Sequence, residues 1–212
     1  MSLPLGHFHE VSLSTPALET SIAFYEGLGF TRGAILPVWP HPYAVMSRGT
    51  LTLGLHEYRF PSPSFTTVER SLDAALEEHR DAGMHIAFAK TGPDCFNEFG
   101  FRDPNGHMIT LLERDTHSHV PSVGDADREV ALLSLPTADR ELSQRFWEVL
   151  GARFIGECRW NDQVSATRLE AAGLTLALHE AADNDQPLIV IRGETRLSAD
   201  MSPEGVSILM IG

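Results

Sequence analysis

VSLSTPALETSIAFYEGLG (Val11–Gly29) returns as LSLPTADRELSQRFWEVLG (Leu133–Gly151), with 9 of 19 positions identical. LTLGLHE (Leu51–Glu57) returns at nearly the same offset as LTLALHE (Leu174–Glu180), with six of seven identical. Two copies of one unit are therefore present. The polar stretch Arg114–Asp127 (RDTHSHVPSVGDAD) separates them and reads as a connection rather than an element. The expected organisation is a complete domain over residues 1–115, a linker over 116–127 and a shortened domain over 128–212.

Each copy opens with alternating apolar residues, Val11 and Leu13 or Leu133 and Leu135, the period of a half-buried strand. A helix follows. Thr15 is the expected N-cap with Pro16 at the first helical position, Leu18, Ile22 and Tyr25 form the apolar stripe, and Gly29 ends the run. Thr137 and the stripe Leu142, Phe146 and Leu150 repeat the plan. Short strands are predicted around Thr31–Leu36, Tyr43–Ser47 and Leu51–Glu57, giving a βαβββ unit. A weaker version follows within the first half: strand Phe65–Glu69, helix Ser71–Arg80, then strands at Met84–Ala89, Phe96–Arg102 and His107–Glu113. In the second half Leu188–Arg192 opens the matching unit, but SPEGV (Ser202–Val206) aligns with DPNGH (Asp103–His107) too soon. A helix and two strands are expected to be missing between Gly193 and Ser202.

Composition bounds the function. The 212 residues are 42% hydrophobic and 21% charged, enough apolar material for a packed core. A formal charge of -13 repels phosphate backbones and anionic lipid, so nucleic acid and membrane are not expected partners. No apolar run approaches the roughly 20 residues of a membrane helix, and the expected location is the cytoplasm. Cys95 and Cys158 lack the spacing of a zinc or disulfide framework. Neither a phosphate loop, a nucleotide fingerprint nor a Ser-centred nucleophile motif stands out.

The capped helix ending SxxFYxxLGF (Ser21–Phe30), followed about 80 residues later by RDPNGHxIxLLE (Arg102–Glu113), resembles the vicinal oxygen chelate superfamily of glyoxalases, bleomycin resistance proteins, fosfomycin resistance enzymes and extradiol dioxygenases. The resemblance covers about residues 8 to 115 well and the second half less completely. It implies an α+β fold in which tandem βαβββ units form curled mixed sheets, glyoxalase-like, with a ligand or metal on the concave face. DPNG also reads simply as a tight turn, and SxxFY as a helix packed on a sheet.

Metal-dependent members hold a divalent cation with His and Glu side chains from the first and last strands of the paired units. Carried onto this chain, the first-half positions fall on Glu10, Gly54, about Ser64 and Thr110, leaving one of four capable of ordinary ligation. In the second half they fall on Leu132, Ala177, about Pro187 and Leu209, none of which is a side-chain ligand. The expectation is a site without the family's metal and without another cofactor.

Strand parity then assigns the cup. With Val11 and Leu13 facing the helices, Glu10, Ser12 and Ser14 face the hollow and His7 and His9 point away. By the same rule Thr52, Gly54 and His56 face it, as do Met108, Thr110 and Leu112. Glu10 and His56 are the candidate catalytic pair, suited to proton transfer or to a reduced metal site. The plainer alternative leaves His56 bonded within the sheet and Glu10 solvated. His179 repeats His56 opposite Leu132, so part of the histidine's role is inherited architecture. Trp39, His41 and Tyr43 lie in the proline-stiffened stretch LPVWPHPY (Leu36–Tyr43), where flat rings can close over an apolar ligand or cap the sheet edge. Ser12, Thr52, Trp39, Tyr43, Met108 and Thr110 are the candidate ligand contacts. Phe96, Phe99 and Phe101 are core or cup-wall residues.

Two functions remain open on these residues. One is a glyoxalase or bleomycin-resistance-like protein that binds a small organic molecule without metal. The other is a metal-dependent lyase or dioxygenase of glyoxalase type with displaced ligands. The shortened half, with an unfinished sheet, is expected either to complete the first half or to support a homodimer.

Overall fold

The computed structural model of the chain describes residues 2–36, 39–113, 131–160, 164–192 and 200–211, so the expected linker lies outside the described residues. The first half contains β1 (His7–Ser14), α1 (Leu18–Gly27), β2 (Thr31–Arg32), β3 (Tyr43–Arg48), β4 (Leu51–His56), β5 (Ser64–Glu69), α2 (Leu72–Asp81), β6 (Ile86–Lys90), β7 (Glu98–Arg102) and β8 (Met108–Glu113). Its eight strands form one sheet in the order β2-β3-β4-β1-β5-β8-β7-β6. Parallel pairs β1 with β4 and β5 with β8 flank the antiparallel β1–β5 seam, the arrangement of two abutting βαβββ units.

The second half contains β9 (Ala131–Thr137), α3 (Arg140–Val149), β10 (Arg153–Trp160), β11 (Val164–Ala171), β12 (Leu174–Glu180), β13 (Leu188–Arg192), β14 (Asp200–Met201) and β15 (Ser207–Ile211). Its seven strands are ordered β10-β11-β12-β9-β13-β15-β14, and the parallel pairs β9 with β12 and β13 with β15 repeat the first half. The shortening is one strand smaller than expected. β14 pairs antiparallel with β15 as β7 does with β8, so a two-residue remnant survives where two whole strands were expected to be missing.

Alternation explains why both sheets bury one face. Val11, Leu13, Leu53, Leu55, Phe65 and Ile109 from the first sheet share one continuous core with Leu133, Leu135, Leu176 and Ile189 from the second. The Phe65 ring meets Trp147 edge-on at 5.3 Å between centroids. Each half also docks a turn on the other's helix. Asn105 of the DPNG turn donates to Ser143 Oγ on α3 at 2.7 Å, while Tyr25 on α1 donates to Glu204 of the SPEG turn at 3.0 Å. The turns are therefore latches between halves as well as corners between strands.

Two helix expectations change. α1 starts at Leu18 rather than Pro16: Thr15 bonds the Ser21 hydroxyl at 2.6 Å, and the free N–H of Leu18 is capped by Glu57 of the neighbouring chain segment at 3.0 Å. α3 is capped by Asp139, which accepts from Leu142 N at 2.9 Å, not by Thr137. Its buried face carries Ser143 and Trp147, leaving Leu142 exposed and Phe146 only partly covered. Trp147 replaces Tyr25 at the equivalent position, as Ser143 does Ser21, so the same face turns inward in both helices.

The concave faces differ sharply. In the second half Leu132, Trp160, Val164, Ala166, Ala177, Leu188 and Val190 pack together and leave a void of only about 40 Å³. That is room for little more than water. His179 is satisfied there by the Ser134 hydroxyl at 2.8 Å and the Asn184 carbonyl at 3.0 Å. No described helix is long and apolar enough to cross a membrane.

Because one core serves both halves, Trp147→Ala is expected to cost about 3–5 kcal/mol and to lower a single unfolding transition seen by near- and far-UV circular dichroism in urea. Two separate transitions in the wild-type chain would contradict a shared core.

Candidate functional site

The first half's concave face stays open as a cavity of roughly 540 Å³, within the range of small-molecule sites. Its walls are aromatic and apolar: Trp39, Phe60, Phe88, Phe96, Met108 and Leu112. Its floor is a strip of hydroxyls, in which Ser12 and Thr66 bond at 2.8 Å and Ser64 and Thr110 at 2.8 Å. At the rim Lys90 pairs with Glu98 at 2.8 Å, and Arg59 is exposed with no ion pair among the described residues. The indole N–H of Trp39 is buried without an acceptor among the described residues, a donor that a bound molecule can satisfy.

Beneath the floor lies Glu10, fully buried. Its Oε1 accepts from His56 Nε2 at 2.9 Å and from Ser12 Oγ at 2.7 Å, and its Oε2 accepts from the Tyr43 hydroxyl at 2.5 Å. Gly54 makes the space: a Cβ there would stand 2.1 Å from Glu10 Oε1. Burial by itself would raise the Glu10 carboxyl. The hydrogen bond and charge interaction with His56, the nearby His9 and the Tyr43 hydroxyl outweigh it and hold the group well below its ordinary 4.5.

The chain of contacts continues outward. Nδ1 of His56 lies 3.0 Å from Nε2 of His41, which lines the cavity and is half-buried. His56 is caged by the rings of Trp39, Tyr43 and Phe60 at centroid distances of 4.9, 4.6 and 5.4 Å. His41 stacks on Tyr58 at 5.0 Å and 17°. Burial, then the neighbouring His56, lower the His41 imidazole below its ordinary value.

Parity placed Glu10, Ser12, His56, Met108 and Thr110 on one face, and the structure brings these together. It fails for His9. The β1–β5 register shifts between Phe8 and Glu10, a bulge that turns His9 to the same side, with Nε2 4.0 Å from Glu10 Oε2. The solvated-Glu10 alternative is also overturned, since the carboxylate is the most enclosed polar group of the cup. Tyr43 and Thr52 do not line the cavity: Tyr43 is spent on Glu10, and the Thr52 hydroxyl lies 3.3 Å from that of Ser47. Trp39 and Phe96 do line it, with centroids 4.5 Å apart, whereas Phe99 and Phe101 pack in the core. Sequence reading missed Phe60, Phe88, Tyr58, Arg59, Lys90 and Glu98, which come from the β4–β5 connection and from β6 and β7. One signal existed for Phe88: Gly100, where a Cβ would stand 2.3 Å from its ring.

Solved structures share this architecture. A homoprotocatechuate 2,3-dioxygenase variant from Brevibacterium fuscum superposes with a TM-score of 0.62 at 12% identity, over 100% of this chain and 72% of that one. A 2,2',3-trihydroxybiphenyl 1,2-dioxygenase from Sphingomonas wittichii gives 0.60 at 14% identity, over 100% and 90%. The chain shares the fold of these extradiol dioxygenases, two curled mixed sheets built from βαβββ units. A catechol 2,3-dioxygenase matches with a TM-score of 0.58 at 13% identity, over 98% of this chain and 88% of that one. No family model matches the sequence, and no curated protein does.

The fold raises the question of a divalent cation, and the donor set answers it. Glu10 spends both oxygens on His56, Ser12 and Tyr43, its carboxylate fills the space over Gly54, and Ser64 and Thr110 are bonded to each other. These residues do not fit a cation held at the positions the resemblance implied.

Gly54→Ala must displace the Glu10 carboxylate and is expected to destabilise the chain by about 1–3 kcal/mol. Since folding lowers the Glu10 pKa, its contribution to stability is fully present above 4.5 and fades as pH falls below that value. Unfolding free energies from urea titrations carried downward from pH 5.5 are expected to fall more steeply for the wild type than for Glu10→Gln, by at most about 1.4 kcal/mol per pH unit. Parallel curves would remove Glu10 from the acid limb.

Proposed function

We propose that this chain binds a small, flat organic molecule in the first-half cup, and does so without a divalent cation of the family's kind. The carrying observation is the contrast between two related hollows: roughly 540 Å³ walled by Trp39, Phe60, Phe88 and Phe96 in one half, about 40 Å³ in the other. Aromatic walls suit a planar ligand, because rings bury large area while losing few rotamers. The hydroxyl strip and the Trp39 N–H supply a few directional contacts, and Arg59 and Lys90 at the rim tolerate an anionic substituent. Two of the similar structures are dioxygenases named for catechol and homoprotocatechuate, so these are the first ligands to offer. The second half then serves as the packing partner that holds the first sheet in shape.

Trp39 in the wall provides a reporter. Titration with catechol and homoprotocatechuate is expected to quench its fluorescence saturably. The effect should vanish in Trp39→Phe, and binding should weaken at least about tenfold, about 1.4 kcal/mol, in Met108→Trp, which fills the cup. Quenching unchanged in both variants, or no saturable response across planar aromatics, would sink the reading. Dialysis against Zn(II), Mn(II), Ni(II) or Fe(II) is expected to leave no stoichiometric metal. Metal retained one-to-one and lost in Glu10→Gln, with ring cleavage of catechol on adding Fe(II), would instead support the metal-dependent alternative.

A further inference from the structure

We infer that Glu10, His56 and His41 form a proton relay whose outer end, Nδ1 of His41, acts as a general base on a molecule held in the cup. The inference rests on the proposed binding role of that cup and adds a chemical step to it.

The tautomers follow from the contacts. Glu10 is an ionised carboxylate and can only accept, so His56 Nε2 carries the proton in the 2.9 Å bond. In neutral His56 this leaves Nδ1 as a lone pair, which accepts the 3.0 Å bond from His41 Nε2–H. Neutral His41 therefore presents a lone pair at Nδ1. That atom has no partner among the described residues, and its ring lines the cavity. The opposite assignment would set the His56 Nε2 lone pair against a carboxylate oxygen.

The geometry also stabilises the product of proton uptake. When a C–H or O–H group of the bound molecule gives its proton to His41 Nδ1, the Nε2 proton of His41 passes to His56 Nδ1. His56 becomes an imidazolium and keeps its Nε2–H on Glu10. The positive charge thus moves one ring inward and comes to rest beside a buried carboxylate, where low local polarity strengthens the attraction. Running the hops backward returns a proton to the bound molecule at the same or a neighbouring atom, so an isomerisation needs no outside reagent. His41 touches the reacting group and is the catalytic residue. His56 and Glu10 are positioning residues, with Tyr43 and Ser12 fixing the carboxylate and the Trp39, Tyr43 and Phe60 rings fixing His56. The other charged groups lining the cavity, Arg59, Lys90 and Glu98, sit at its rim, and Glu98 is paired with Lys90.

5-Nitrobenzisoxazole tests the step directly, being flat, uncharged and opened by a base alone. His41 removes its ring C–H proton, the released electron pair forms the nitrile, the N–O bond breaks, and a coloured phenolate leaves. Turnover is expected in the wild-type chain. It should fall about 100-fold in kcat/KM in His41→Gln and about 10-fold or more in His56→Gln, with added imidazole restoring activity to His41→Ala. Histidine nitrogen NMR on the full chain in mildly alkaline buffer is expected to show His41 and His56 both as the Nε2–H tautomer. Neutral His56 protonated on Nδ1 would overturn the relay without any ligand being needed. Turnover equal in wild type and His41→Gln would overturn it too. A probe that quenches Trp39 but is not opened would reject the relay while leaving the binding role intact.

Discussion

A buried carboxylate organises the first half. Glu10 sits with no exposure to water, and a charge in that position is tolerable only when donors surround it. His56, Tyr43 and Ser12 supply them from β4, β3 and β1, three strands that lie side by side in the sheet. Removing any one leaves a charge short of a partner, which costs more than the bond itself contributes. Gly54 must remain without a side chain for the same reason. The constraint reaches outward through the caged His56 ring to His41, whose ring also lines the cavity.

The two halves have diverged by filling. The same topology builds both sheets, and the parallel pairs β1–β4 and β9–β12 place equivalent residues side by side. One hollow remains open and polar at its floor. The other has closed over Trp160 and its aliphatic neighbours, and its histidine is satisfied locally. The filled cup leaves room for little more than water, and reciprocal turn-on-helix hydrogen bonds join it to the open half.

The repeat, the strand alternation and the paired motifs made the fold legible, because those signals depend on period and local turn chemistry alone. Glu10 and His56 were legible as a pair for the same reason: two strands of known parity share a face. His9 was not, because a bulge breaks parity and leaves no mark in residue type. Phe60 and Arg59 escaped because they sit in a connection, where no period constrains direction. On α3 the apolar spacing of Leu142, Phe146 and Leu150 put Leu150 correctly in the core, but Leu142 and Phe146 competed with Ser143 and Trp147 for the inner face. The larger ring and a small neighbour that fits beneath the docked turn prevailed.

Glu10 and Gly54 have counterparts in Leu132 and Ala177, and the correspondence shows how chemistry is written onto this frame. In the first half Glu10 reaches over Gly54, so a large side chain on β1 demands a small residue on β4, and in the second Leu132 and Ala177 belong to one apolar cluster. Glutamate over glycine requires donors and brings His56 into use, whereas leucine over alanine requires only apolar company and frees His179 to bond the backbone. Two ligating side chains at the same positions would compete for that space unless both turned toward a shared third body. The fold thus supplies adjacent positions of fixed separation, and the volumes and polarities placed on them decide whether the hollow is a proton path, a plug or a binding site for something larger.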